Sequence, residues 1–211
     1  GKAHAADFIF SAPEITFEHV CFRYDGAENN TLYDINFTFR PGERIALVGM
    51  NGAGKTTLVK LLCGLYKPTS GDIKINGVSV NDFCRDDYYR LFSPVFQDVQ
   101  TAFFSLAETV AGTLGGEVDK RRAEECMRKA GLGTKIDSLP DGIDTKLDKQ
   151  VNKNGIELSG GEAQKLMMAR ALYKDAPVLV LDEPTAALDP IAENEIYLHY
   201  RDMTAGKTSL F

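Results

Sequence analysis

Apolar and polar positions alternate through the first part of the chain with the period of strands. Ile15 and Phe17 share one phase, whereas Val20, Phe22 and Tyr24 share the other, so the strand expected over 14–24 carries a bulge near Glu18 and His19. Tyr33, Ile35, Phe37 and Phe39 alternate with polar residues up to Arg40, where Pro41-Gly42 makes a turn. That is an antiparallel hairpin pattern. The run Ile45-Ala46-Leu47-Val48 is continuously apolar and stops at a glycine-rich loop, as expected of a strand buried on both faces. Leu58, Leu61, Leu62 and Leu65 then recur at helical spacing before Lys67-Pro68. Ile73, Ile75, Val78 and Val80 flank Asn76-Gly77, the strongest short-range hairpin signal.

From about 103 to 148 the period becomes helical. Leu106, Val110 and Leu114 form one stripe, and Val118, Ala123, Cys126, Met127 and Ala130 form another. These residues read as a helical lobe, about 103–173, inserted into a sheet domain. A second core strand, Val178-Leu179-Val180-Leu181, follows a helix that begins near Gly160, and the last helix takes Asp189 as N-cap with Pro190 in its first turn. The expected fold is α/β, with a mostly parallel core sheet, an N-terminal antiparallel β subdomain and the helical lobe. Residues 1–13 read as a linker or tail and 14–211 as one domain.

Composition narrows the function. Of 211 residues, 44% are hydrophobic and 26% charged, enough to bury a core. Lys and Arg number 24 against 30 Asp and Glu, a net charge of -6, which argues against duplex nucleic acid held by bulk charge, and no nucleic-acid partner is expected. No run approaches the roughly 18 apolar residues of a membrane-spanning helix, so the chain itself is expected to be soluble. Cys21, Cys63, Cys84 and Cys126 form no Cys-x-x-Cys pair and read as buried free thiols. His4, His19 and His199 lack metal-ligand spacing.

The chemistry concentrates in three motifs. Gly49-Met50-Asn51-Gly52-Ala53-Gly54-Lys55-Thr56 matches the phosphate-loop pattern between a strand and a helix. Its glycines leave backbone N–H groups to converge on phosphate oxygens, and the helix N-terminus adds partial positive charge. Lys55 reaches the β- and γ-phosphates, Thr56 ligates Mg2+, and Thr57 follows in the same turn. A bare helix-capping glycine turn would need none of this arrangement. Next, Asp182 and Glu183 follow the apolar run 178–181, where open α/β sheets bind ligands. Asp182 suits a magnesium shell, and Glu183 suits orienting or deprotonating the water that attacks a γ-phosphate. Third, Leu158-Ser159-Gly160-Gly161-Glu162 opens a helix with a serine cap and two glycines. It is either an ordinary capped helix or a site for a nucleotide held by another copy of the chain.

These motifs, in this order and from Ile15 onward, resemble the nucleotide-binding (ATPase) domain of an ATP-binding cassette transporter, a P-loop NTPase. The resemblance implies ATP and Mg2+ as ligands and a head-to-tail dimer in which Ser159, Gly160, Gly161 and Glu162 contact the partner's nucleotide, with Glu162 where the family has glutamine. It implies that Gln97 touches magnesium beside Thr56 and Asp182, although an exposed polar residue after a strand is the plain reading. Tyr24 resembles the aromatic that stacks on adenine, against a plain strand-end tyrosine. Asp189 resembles the loop residue that crosses the dimer interface, compatible with its N-cap role. The segment Phe104-Ser105-Leu106-Ala107-Glu108-Thr109-Val110 is similar to exporters, which implies a transmembrane-domain partner and a place on the cytoplasmic face of the cell membrane.

Two departures stand out. Asn152-Lys153-Asn154-Gly155 replaces the Gly-Glu-Arg-Gly stretch of many exporters. The family's switch histidine lies beyond the last strand, so a chain stopping at Phe211 is expected to be cut short of it, and His199 is not a substitute. The alternatives are a soluble cassette ATPase acting on chromosomes, DNA repair or ribosomes, and a nucleotide-binding module without turnover. The first meets no long heptad run between phosphate loop and signature, and the second meets an intact Glu183.

Overall fold

A computed structural model describes residues 12–47, 54–95, 104–113, 115–148, 153–181 and 190–210. They fall into two units. One comprises Gly1–Pro94, Ala176–Asp182 and Gly206–Phe211, and the other Val95–Asp175 and Glu183–Ala205.

The first unit runs through β1 (Ile15–Phe22), β2 (Leu32–Phe39), β3 (Arg44–Ile45), α1 (Lys55–Leu62), β4 (Ser70–Ile75), β5 (Val78–Ser79), α2 (Arg85–Tyr89) and into β6 (Phe92–Val95). It regains β7 (Val178–Leu181) and β8 (Thr208–Leu210) later in the chain. Two four-stranded sheets result, in the orders β2-β1-β4-β5 and β3-β8-β7-β6. The first is antiparallel at every pairing. In the second, β8 pairs parallel with both β3 and β7.

The phase slip in β1 is a bulge. Its pairing with β2 shifts between Phe17 and Val20, its pairing with β4 shifts between Glu18 and Cys21, and His19 has φ 50. The irregularity lets Ile15, Phe17, Val20 and Phe22 all be buried despite their opposite phases. Gly71 lies against the bulge at φ 80, and a Cβ there would stand 2.2 Å from the His19 carbonyl oxygen. Left-handed strain and a backbone clash add in Gly71→Ala, which is expected to cost about 3 kcal/mol. Urea unfolding midpoints test this, and an unchanged midpoint would show that the bulge yields to a methyl group.

The second hairpin forms as expected, with Asn76 and Gly77 both at positive φ and Ile75 opposite Val78. Three expectations need correction. Tyr33 is 61% exposed and Leu32 is buried in its stead. Val20 pairs with Ile35 and Phe22 with Leu32, so β2 holds an extra residue and Asp34 takes φ 45. The run starting at Ile45 is not buried on both faces: among the described residues β3 lies at the edge of its sheet beside β8, with Ile45 and Leu47 half-buried and Ala46 exposed, and Val48 lies outside the described residues. Leu65 is 45% exposed because α1 ends at Leu62 and Gly64 turns the chain at φ 74. By contrast, β7 lies inside its sheet and all four of its residues are buried.

The second unit contains α3 (Leu106–Ala111), α4 (Lys120–Lys129), α5 (Gly133–Asp137), α6 (Gly160–Lys174) and α7 (Pro190–Met203). Helices α3 and α4 pack on α6, burying Leu106, Val110, Ala123, Cys126 and Met127 with Leu166, Met168 and Ala169. Val118 precedes α4, whose N-cap is Asp119, and is only half-buried; Leu114 lies outside the described residues. All four cysteines are free thiols, Cys63 and Cys126 buried, Cys21 and Cys84 half-buried because they sit at the margins of their elements. Among the described residues no helix is long and apolar enough to cross a membrane.

Candidate functional site

The phosphate-loop positions Gly49, Asn51, Gly52 and Ala53 lie outside the described residues, which resume at Gly54. Gly54 caps α1 in the left-handed conformation, φ 87 and ψ 4. A Cβ there would meet Leu32 Cδ2 at 2.9 Å, so the tight entry into the helix requires glycine. The first intrahelical bond runs from Leu58 N–H to the Gly54 carbonyl, 2.9 Å, which fixes the N-terminal end of α1 at Gly54. No acidic residue stands in this first turn. The terminus therefore keeps its partial positive charge, which suits a phosphate.

Tyr24 reaches this turn from the end of the first hairpin strand. Its hydroxyl pairs with Thr57 Oγ1 at 2.8 Å, and its ring stands edge-on to Phe22 and Tyr66, with centroids 4.9 and 5.7 Å away. The ring is 39% exposed. Two expected nucleotide residues far apart in sequence are thus brought together. Thr57 itself is buried and its hydroxyl is engaged by Tyr24, so its side chain serves to seat the aromatic ring. Gln97, Asp182, Glu183 and Asp189 lie outside the described residues. The strands that precede them are in place, since β6 ends at Val95 and β7 at Leu181.

The signature segment forms the start of α6, in the second unit. Ser159 is its N-cap, and its Oγ accepts from Glu162 N–H at 3.2 Å while the Glu162 carboxylate accepts from Ser159 N–H at 2.9 Å. This reciprocal pair is a capping box. Ser159 and Gly160 are exposed, and the serine hydroxyl still has its proton to donate. Glu162 also meets Lys135 Nζ of α5 at 3.1 Å. Burial pushes the Glu162 carboxyl up, but the Ser159 N–H and the Lys135 ammonium outweigh it and hold the group below the ordinary range.

A second capping box opens α3. Ser105 Oγ accepts from Glu108 N–H at 3.1 Å and the Glu108 carboxylate accepts from Ser105 N–H at 2.8 Å. Lys146 lies 2.7 Å from Glu108 and, with the Ser105 N–H, lowers its carboxyl to about 2. The Ser-x-x-Glu spacing announces this cap in the sequence. Lys135 and Lys146 carry no such signal, because their partners are remote in the chain.

A family model described as ABC transporter matches residues 32–186. The chain belongs to the ABC transporter family. It is 41% identical over 200 residues to an ATP-dependent lipid A-core flippase of Burkholderia pseudomallei (strain 1710b), covering 93% of this chain and 32% of that protein. The flippase of the same name from Ralstonia nicotianae is 40% identical over 199 residues, covering 93% and 33%. A bacterial Atm1-family ABC exporter solved with ATP bound superposes with a TM-score of 0.82 and 31% identity, over 96% of this chain and 34% of that one. The chain spans about a third of the length of these relatives. These matches bear out the resemblance to a nucleotide-binding domain of exporter type and the α/β, P-loop NTPase fold.

Proposed function

We propose that this chain is the ATP-binding and ATP-hydrolysing motor domain of a transporter that exports a substrate across a membrane. The observation that carries the reading is the meeting of Tyr24 with the first turn of α1, where an aromatic ring and a cationic helix terminus can take the base and the phosphates of one nucleotide. Gly49, Asn51, Gly52, Ala53 and Gly54 wrap the phosphates, and Lys55 offsets their charge. Thr56, Gln97 and Asp182 are oxygen donors of the kind Mg2+ prefers, and the ion would neutralise charge shared between β- and γ-phosphates. Glu183 orients or deprotonates the attacking water.

The exposed end of α6 at Ser159 faces the nucleotide of a second copy in a head-to-tail pair, and Asp189 crosses the same interface. A transmembrane domain is the other partner, with the motor at the cytoplasmic face. The flippases and exporter among its relatives favour this over a cassette acting on chromosomes, DNA repair or ribosomes.

Light scattering of the Glu183→Gln chain tests the pairing. The chain is expected to be monomeric alone and to double in mass with Mg-ATP. A mass that ignores nucleotide would overturn the shared site.

A further inference from the structure

The signature helix carries a charge that its proposed task should not tolerate. Glu162 is ionised in the first turn of α6, where a carboxylate favours the helix but opposes any second anion approaching the same end. A glutamine would complete the same capping box without the charge. Lys135 resolves the conflict in this chain. One Glu162 oxygen accepts from Ser159 N–H at 2.9 Å, and the other lies 3.1 Å from Lys135 Nζ. The two side chains are 28% and 29% exposed, whereas Lys120–Asp144 in the same unit is 60% and 54% exposed. The inner pair is less screened by solvent, so its mutual neutralisation is felt at the helix end.

We propose that Lys135 is a positioning residue for the partner's nucleotide: it acts through Glu162, cancelling the carboxylate charge and holding the capping box so that the α6 terminus attracts a phosphate. The inference rests on the head-to-tail reading above. It adds a cation from α5, remote from the signature in sequence, to the residues that make this terminus competent. It also makes Lys135 and Glu162 a unit, since a lysine facing a glutamine there would leave its charge unmatched.

The experiment measures the Mg-ATP concentration for half-maximal dimerisation by light scattering. It uses the Glu183→Gln chain and its derivatives Lys135→Met, Lys135→Arg, Glu162→Gln and Lys135→Met with Glu162→Gln. Lys135→Met is expected to raise that concentration about fivefold at low salt, and by less at high salt. Lys135→Arg stays within about twofold, Glu162→Gln alone lowers the concentration about threefold, and the double change returns within about twofold of the parent. Binding of a fluorescent ATP analogue to dilute monomers stays the same throughout. A double variant as impaired as Lys135→Met, or a Glu162→Gln chain indistinguishable from its parent, would overturn the proposal, the latter even if Lys135→Met fails to fold. A parent that binds ATP without dimerising would instead overturn the head-to-tail reading, and the role of Lys135 with it.

Discussion

Glu183→Gln is expected to bind ATP with unchanged affinity and to turn it over about 10²- to 10⁴-fold more slowly. Strand β7 is buried along its whole length, Val178 to Leu181, and open α/β sheets present their reactive groups just past the carboxyl ends of such strands. Asp182 and Glu183 follow in sequence. An amide keeps the volume of the carboxylate and can still hydrogen-bond a water, but it has no basic oxygen to receive a proton. Binding and turnover therefore separate, which a general loss of folding would not produce. Phosphate release at saturating ATP, with nucleotide affinity measured beside it, decides the matter. Parental turnover would move the base to another residue.

Lys55→Ala is expected to weaken ATP binding by about two orders of magnitude. Lys55 is the sole cation within 49–57 and begins α1 immediately after the glycine that turns the chain into the helix. Truncating one partner of a hydrogen-bonded charge pair typically costs about 2–5 kcal/mol, and the helix terminus and backbone N–H groups would retain only the remainder. Calorimetric titration with Mg-ATP is the direct measurement. A dissociation constant within threefold of the parent would remove Lys55 from the site. Retained affinity for adenosine through Tyr24, against lost affinity for ATP, would show that the phosphate end alone had been damaged.

The parts of the fold that were legible in sequence are those whose signal is local. The bulge in β1 followed from a change of phase within eight residues, and the turn at Asn76-Gly77 from two residues that accept positive φ. The burial of β7 and the stripe Ala123, Cys126, Met127 followed from runs within one element. What failed depended on neighbours. Nothing in Ile45-Ala46-Leu47-Val48 tells that β3 lies at the edge of its sheet among the described residues, while the equally apolar β7 lies inside it. The exposure of Tyr33 escapes the alternation, because a period of two cannot reveal an extra residue opposite a strand that is itself bulged. The candidate site divides in the same way. Its motifs are contiguous and read directly, but the Tyr24–Thr57 contact and the Lys135–Glu162 pair join residues that no short window contains.

The anchoring of Tyr24 bears on which nucleotides this chain would take. With its hydroxyl on Thr57 and its ring wedged against Phe22 and Tyr66, the side chain has lost its rotamer freedom before any base arrives. A base that stacks there meets a platform already in place and forfeits little entropy in the process. Such a platform senses the flat face of a heterocycle and is blind to its hydrogen-bonding edge, since every base offers a π surface. On the proposed reading of Tyr24, adenine and guanine would be nearly equivalent partners at this position, and fuel choice in the cell would follow the abundance of the triphosphates more than any discrimination by Tyr24.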